Sequence, residues 1–231
     1  LGAFAEYVLV DVAASVPISG DSPTDIAAVV GCAVQTGVGA VANIAQVSPG
    51  ESVVVIGAGS VGMSVVQGAQ LAGAGLVAVI DPNAERRDCA IALGATHAFD
   101  GTAPDVIEAV KALTGGRGAD YAFDLVSVQS TIDFAMAATR PAGHIVLIGV
   151  PAPETRAAVS SAHFVMAQKR MSGCMLGSCH PQRDLPRFLD LWSQGKLEID
   201  RLITTRRPLV EINAAFEDMA AGRGLRTVLS L

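Results

Sequence analysis

Three features of the chain predict an α/β fold built on a doubly wound parallel sheet. Short β-branched runs stand at 52–56 and 76–80 and, Ser52 apart, are apolar, as strands covered on both faces are. Helical patterns separate the runs, and the alternation of strand and helix continues to about residue 176, which specifies parallel strands joined by right-handed crossovers. Gly57, Gly59 and Gly62 fall where the first run passes into a helix, the place where a parallel strand turns tightly.

The elements follow in order. The chain begins at Leu1, already in an alternating run with Ala5, Tyr7 and Leu9 on one side and Phe4, Glu6, Val8 and Val10 on the other. That alternation predicts a strand entered mid-protein. Pro23 to Val47 reads as mostly helical, started by Ser22 and Pro23, with a break expected near Gly37 and Gly39 and a turn at Pro49-Gly50. Strands are predicted at 52–56, 76–80, 96–99, 120–125, 144–150 and 170–176, and helices at 60–73, 83–93, 103–114, 128–139 and 160–168. Thr114-Gly-Gly-Arg-Gly118 and Arg140-Pro-Ala-Gly143 are loop signals. Beyond Gly177 the pattern predicts a polar turn, a helix at 184–194, a short strand at 202–204, a helix at 210–221 and a final strand at 226–231.

Composition narrows the function classes. With 231 residues, 51% hydrophobic and only 16% charged, the chain can bury a large core, enough for one large domain or one domain and part of another. A net charge of −6 offers no basic field for nucleic acid or an anionic membrane. Two uncharged stretches, 26–50 and 52–80, are long enough to span a bilayer, but the second holds six glycines and resolves into strand, helix and strand. Cys32, Cys89, Cys174 and Cys179 form no C-x-x-C pair, so a reducing cytoplasm is expected.

The glycine turn carries the first functional reading. Gly57 permits the turn, Gly59 leaves the backbone open to a pyrophosphate, and Gly62 lets the helix sit close to the strands. The helix start offers unpaired N–H groups to the phosphates. Asp81 ends the second apolar run, where a carboxylate accepts hydrogen bonds from the adenosine ribose and repels a 2′-phosphate. NAD is therefore expected as cofactor in preference to NADP. The competing reading, a glycine-rich packing turn, is weakened because strand, helix and spaced acid occur together.

Further segments extend the pattern: Gly31-Cys32-Ala-Val-Gln-Thr36-Gly37-Val-Gly39, Leu93-Gly-Ala-Thr-His97, Gly118-Ala-Asp-Tyr-Ala-Phe-Asp124, Ile148-Gly149-Val150-Pro151 and Arg226-Thr-Val-Leu. With the glycine turn, in this order and spacing and over the whole chain, they closely resemble the zinc-containing medium-chain alcohol dehydrogenases. The resemblance implies NAD and zinc as cofactors and the interconversion of a primary alcohol, such as an aryl alcohol or a thiol adduct, with its aldehyde. It implies a dinucleotide-binding domain at 34–175, with 1–33 and 176–231 as flanking remnants of an incomplete catalytic domain. Cys32 matches the third zinc ligand of the family. Taken alone it would read as a small apolar core residue.

The other ligands, the structural zinc lobe and the proton relay belong to an upstream half that this chain does not contain, so no catalytic residue is expected here. One thiolate does not hold catalytic zinc, and a dinucleotide-binding module without chemistry is the alternative of another class. A zinc-free quinone reductase relative is disfavoured by Cys32 and Asp81. By resemblance, Thr36 lies beside the nicotinamide, Val61 and Val126 crowd its back face, and Arg86 lies near the adenosine ribose. Ile148 and Cys174 would offer carbonyls, and Leu176 an N–H, to the carboxamide, and Arg226 would bind the pyrophosphate. Many relatives carry glycine at the position of Ser127, so the loop there is expected to be slightly displaced. Family members commonly pair edge strands, so a homodimer or homotetramer through 170–176 is expected.

Other constellations carry less. Cys174, Cys179 and His180 form a C-x4-C-H cluster that reads as structural. His97 and His144 read as packing or capping residues, and His163 as an interface or surface residue. No G-x-S-x-G is present, which leaves hydrolase chemistry without its nucleophile turn.

Overall fold

The structure, a computed structural model, describes residues 4–231. It divides into two compact units, one of residues 33–179 and one of residues 1–32 with 180–231. The larger unit holds a six-stranded sheet of β1 (Ser52–Ile56), β2 (Leu76–Ile80), β3 (His97–Phe99), β4 (Ala119–Asp124), β5 (Thr139–Leu147) and β6 (Arg170–Gly173). The strands are all parallel, in the order β3-β2-β1-β4-β5-β6. Chain order reverses at the β1–β4 pair, where an open α/β sheet leaves a crevice beyond its carboxyl ends. This is the doubly wound α/β sheet that the β-branched runs predict.

Crossover helices explain why those runs are apolar on both sides. Six helices accompany the sheet among the described residues: α1 (Thr24–Ala45), α2 (Ser60–Leu71), α3 (Ala84–Ala92), α4 (Val106–Ala112), α5 (Gln129–Ala138) and α6 (Ser161–Met166). Val53, Val54, Val55, Val77, Ala78 and Val79 are fully buried, so neither face of β1 or β2 meets water. One core lies where Val54, Ile56, Ala78 and Ile80 meet Val106 and Val110 of α4 and Ile132, Ala135 and Met136 of α5. Each buried Val or Ile there contributes roughly 1.5–3 kcal/mol relative to exposure.

Helix α1 differs from the expected break. It continues through Gly37 and Gly39 and loosens into π-helical turns at Val30–Val34 and Ala40–Ala45. The glycines serve packing. A Cβ at Gly37 would stand 2.5 Å from Ser64 Cβ and 2.6 Å from the Val61 carbonyl, and one at Gly68 would stand 3.1 Å from Val38 Cα. α1 and α2 thus touch backbone to backbone, which side chains would forbid. α1 is long and apolar enough by composition to cross a membrane, but 67% of its most apolar window is buried inside the protein, which accounts for its hydropathy.

Two other expectations are corrected. Residues 4–10 form no strand; Tyr7 and Leu9 are 90% and 95% exposed, and no described strand pairs with them, without which alternation alone gives no sheet. Phe4 packs edge-on against Phe216, with ring centroids 6.0 Å apart. The Arg140–Gly143 loop signal falls within the span of β5 as an excursion from the ladder: β4 pairs with Thr139 and next with His144, the four residues between have no register partner, and Ala142 takes a left-handed conformation, φ 58°.

In the smaller unit, α7 (Pro181–Ser193) leads to β7 (Thr205–Pro208), α8 (Ile212–Ala220) and β8 (Thr227–Ser230), and β7 pairs with β8 in parallel. The strand expected at 202–204 is displaced to 205–208, since Ile199–Leu202 closes into a 3₁₀ turn that buries Ile199 and Leu202. The Arg206–Asp25 pair, 2.6 Å, joins β7 to the start of α1.

The amino ends of β1, β4 and β5 are fastened by polar groups. Asp120 accepts from the Ser52 N–H and hydroxyl and from Arg140 Nε, at 2.8, 2.6 and 2.6 Å. Burial alone would raise its pKa, but these donors hold the carboxyl below its ordinary value. Lys169, buried, donates to the Thr139 carbonyl and hydroxyl at 2.5 and 2.7 Å and to the Arg140 carbonyl at 3.0 Å. Burial, reinforced by the Lys111 and Arg140 charges, pushes its pKa down to about 8.

Two predictions follow from this packing. Gly37→Ala should destabilise the protein by roughly 1–3 kcal/mol through overpacking, despite alanine's better helix propensity, and lower the midpoint of thermal unfolding. For Lys169, the pKa falls from 10.5 when unfolded to about 8 when folded. Above pH 8 the unfolded chain binds the extra proton, so this group's contribution to stability rises with pH up to 10.5. Urea unfolding between about pH 7.5 and 9.5 should show that rise, and Lys169→Met should lose it.

Candidate dinucleotide site

The carboxyl end of β1 builds the turn from three glycines with different duties. Gly57 has φ 99°, and its N–H donates to the Ile80 carbonyl at 2.8 Å. Its missing side chain would press on Leu125 and Val126, at 3.3 and 3.4 Å. A Cβ at Gly62 would run into the Gly57 carbonyl, so α2 leaves the turn in backbone contact with it. Gly59, the N-cap of α2, faces open space. The backbone at the start of α2 is therefore not screened by a side chain at Gly59, which suits the approach of a diphosphate to a helix N-terminus.

Asp81 closes the turn from the side. It is 4% exposed at the carboxyl end of β2; Oδ2 accepts from the Ala58 N–H at 2.7 Å and Oδ1 from the Asn83 N–H at 2.8 Å. Each carboxylate oxygen has two lone-pair directions, so the group can still accept from a pair of ribose hydroxyls. Arg86 follows on the first turn of α3, its N–H capped by Asn83 Oδ1 at 3.2 Å. Arg87, which sequence reasoning missed, donates from Nη1 to the Asp81 and Pro82 carbonyls at 2.8 and 2.9 Å, bracing the loop that carries the acid. These features fit the adenosine and diphosphate parts of NAD.

A second carboxylate, also missed from sequence, organises the next loop. Asp124 ends β4 with no exposed surface, opposite Ile56 in the register. Its Oδ1 accepts from the Val126 and Ser127 N–H groups, both at 2.9 Å, and its Oδ2 from the Thr131 hydroxyl at 2.8 Å. The Asp124 carbonyl accepts from Ile148 and Gly149 at 2.8 and 3.1 Å. One residue thus ties Val126, 42% exposed, to the carboxyl end of β5. Ser127 has φ 58°, which explains why glycine suits the position. An aspartate at a strand end, seven residues before Thr131, was the available signal.

The remaining expected positions are distributed as follows. Val61, half-buried, lies in the first turn of α2. Thr36 is buried on α1, and Ile148 is buried just past β5. Cys174 follows β6; burial raises its thiol pKa, and the Gly177 N–H opposes that in part. Leu176, Gly177 and Ser178 are all left-handed, with φ 47°, 69° and 47°. A Cβ at Gly177 would overlap the Gln35 carbonyl, and one at Gly39 would stand 2.5 Å from Cys179 Sγ. Cys179 Sγ donates to the Gln35 carbonyl at 3.3 Å, so this thiol fastens the loop to α1. The expected neighbours of the nicotinamide, Thr36 on α1 and Cys174 and Leu176 in the loop, therefore sit on two interlocked elements of one unit.

Cys32 and Arg226 fall in the smaller unit. Cys32 is exposed, and among the described residues no three His, Cys, Asp or Glu side chains converge to hold a metal ion. The described residues do not make a zinc site by themselves. Arg226 stands at the start of β8, its carbonyl accepting from the Thr204 and Thr205 N–H groups at 3.0 and 3.3 Å. His97 stacks on Phe99 and His144 Nε2 meets the Ser172 hydroxyl at 2.9 Å. His163 lies on the exposed helix α6.

Thr131→Val, which removes one partner of the buried Asp124 carboxylate, should cost about 1–3 kcal/mol in denaturant unfolding. Ser127→Gly should be neutral or stabilising by up to about 1 kcal/mol, because glycine takes φ 58° without strain.

Comparison with known proteins agrees with this geometry. Residues 60–194 match the family model described as zinc-binding dehydrogenase. The chain is 38% identical over 216 residues to geraniol dehydrogenase of Castellaniella defragrans, covering 93% of this chain and 57% of that protein. It is 35% identical over 232 residues to putative alcohol dehydrogenase D of Mycobacterium tuberculosis, covering 99% and 63%. Among solved structures, benzyl alcohol dehydrogenase of Acinetobacter calcoaceticus superposes with a TM-score of 0.89 at 30% identity, covering 94% of this chain and 59% of that one. The chain thus spans about three fifths of the length of these relatives. With its doubly wound sheet, its glycine turn and this match over more than half its length, the chain belongs to the zinc-binding dehydrogenase family.

Proposed function

We propose that the protein containing this chain is an NAD-dependent oxidoreductase interconverting a primary alcohol and its aldehyde, and that this chain supplies the cofactor site. The observation that carries the reading is the buried Asp81 carboxylate, bonded to the Ala58 N–H at 2.7 Å in the turn where Gly59 leaves open space before α2. Bound NAD would supply the hydride acceptor. The chain's own residues bind and orient it: Asp81 takes the ribose hydroxyls and repels a 2′-phosphate, and α2 receives the diphosphate. Val61 and Val126 crowd one face of the ring beside Thr36. Ile148, Cys174 and Leu176 take the carboxamide, and Arg86 lies by the adenosine ribose.

Two relatives are named for geraniol and benzyl alcohol, both primary alcohols, which supports that substrate class, whether aryl alcohol or thiol adduct. Cys32 is assigned as one thiolate ligand of a zinc ion completed by residues this chain does not contain. The exposed Met175 and the open side of β6 support pairing of that edge with a second copy. Four free cysteines support a cytoplasmic location.

Fluorescence titration of the full-length protein with NADH and NADPH tests the cofactor assignment. NADH should bind more tightly, and Asp81→Ala should weaken NADH roughly tenfold while narrowing the gap to NADPH. Tighter NADPH binding by the unaltered protein would overturn it. Alcohol-dependent NAD reduction together with zinc content tests the chemistry: both should fall in Cys32→Ser.

A further inference from the structure

The loop after β6 holds three consecutive residues in a conformation that two of them disfavour. Leu176 and Ser178 have φ 47°, a region natural to glycine, and only Gly177 between them is glycine. Packing explains where this turn sits. Gly177 is pressed against the Gln35 carbonyl and Gly39, and no side chain would fit at either glycine. The turn closes on itself through the Ser178 N–H to the Met175 carbonyl, 2.9 Å, and the Cys179 N–H to the Leu176 carbonyl, 3.3 Å, which leaves the Gly177 and Ser178 carbonyls to be held from outside.

Asn43 adds a constraint from α1. Its Nδ2 donates to the Gly177 carbonyl at 2.9 Å and reaches the Ser178 carbonyl at 3.5 Å. Two carbonyl oxygens face the same end of the amide, so that end must be the nitrogen. Asn43 and Thr36 both lie on α1, seven residues apart. The helix that carries Thr36 thus also carries an anchor of the 176–178 turn.

We propose that Asn43 is a positioning residue for the nicotinamide end of the cofactor, holding the 176–178 turn so that the Leu176 N–H meets the carboxamide. The proposal rests on the NAD reading above. It requires that Asn43 act on the nicotinamide end and not on the adenosine end, which Asp81 and the glycine turn hold independently.

ADP-ribose has the adenosine, diphosphate and ribose of NAD without its nicotinamide, so it separates the two ends. Binding of NADH and ADP-ribose is measured on the full-length protein and on Asn43→Ala and the isosteric Asn43→Asp, with thermal unfolding recorded for each. In both variants NADH should weaken ~5- to 10-fold, the loss of one hydrogen bond's worth of alignment, with ADP-ribose unchanged within about twofold. Adding Ser178→Gly, which takes the left-handed conformation without support, should restore NADH affinity to Asn43→Ala. If Asn43→Ala does not fold, Asn43→Asp decides. Equal losses for both ligands, or NADH binding unchanged, would overturn the proposal. If the unaltered protein binds neither ligand, the NAD reading itself fails and the proposal goes with it.

Discussion

Where parallel strands end together, their last amides point into the space a ligand will use, and they need acceptors before any ligand arrives. Two buried carboxylates meet that need here. Asp81 takes the Ala58 and Asn83 N–H groups, and Asp124 takes those of Val126 and Ser127. The two acids end the strands on either side of β1. Their anionic acceptance sets the shape of the loops between which the crevice opens, and a neutral side chain of the same size would accept fewer of these bonds. The glycine turn, the Val126 loop and the end of β5 all hang on this arrangement.

Much of this was legible in the sequence because burial on two faces leaves a strong mark. The runs Ser52–Ile56 and Leu76–Ile80 form strands at the residues their β-branched composition marks out. The turn between them was legible because its glycines answer to sterics that are local to the chain: Gly57 needs a positive φ, and Gly62 needs to touch Gly57. Asp81 was found by its spacing. Its bond to Ala58 was not, since that depends on how two strands register.

What escaped the sequence was long-range. Gly37 looks like a helix breaker until Ser64 is seen against it, and Arg140-Pro-Ala-Gly143 looks like a loop between elements until β5 is seen to resume the ladder at His144. Residues 4–10 show the opposite error: alternation marks which faces would differ, but a strand needs a neighbour to bond to. Asp124 was quoted within a motif without a role, because its role lies in two amides and a hydroxyl that only the fold assembles. Asn43 carries no sequence signal, being one polar residue near the end of an apolar helix.

The Asp81–Ala58 bond has a consequence for how ligand parts communicate. On the proposed reading, the carboxylate that would face the ribose is also an acceptor for the turn that would face the diphosphate, so the two subsites would share one group. A hydroxyl donating to Asp81 would weaken its acceptance from the Ala58 N–H, and an anion at the turn would compete for that amide and repel the carboxylate. Fragments carrying only a nucleoside or only a diphosphate will not have additive free energies here. Whatever help or hindrance one fragment gives the other must be returned in equal measure.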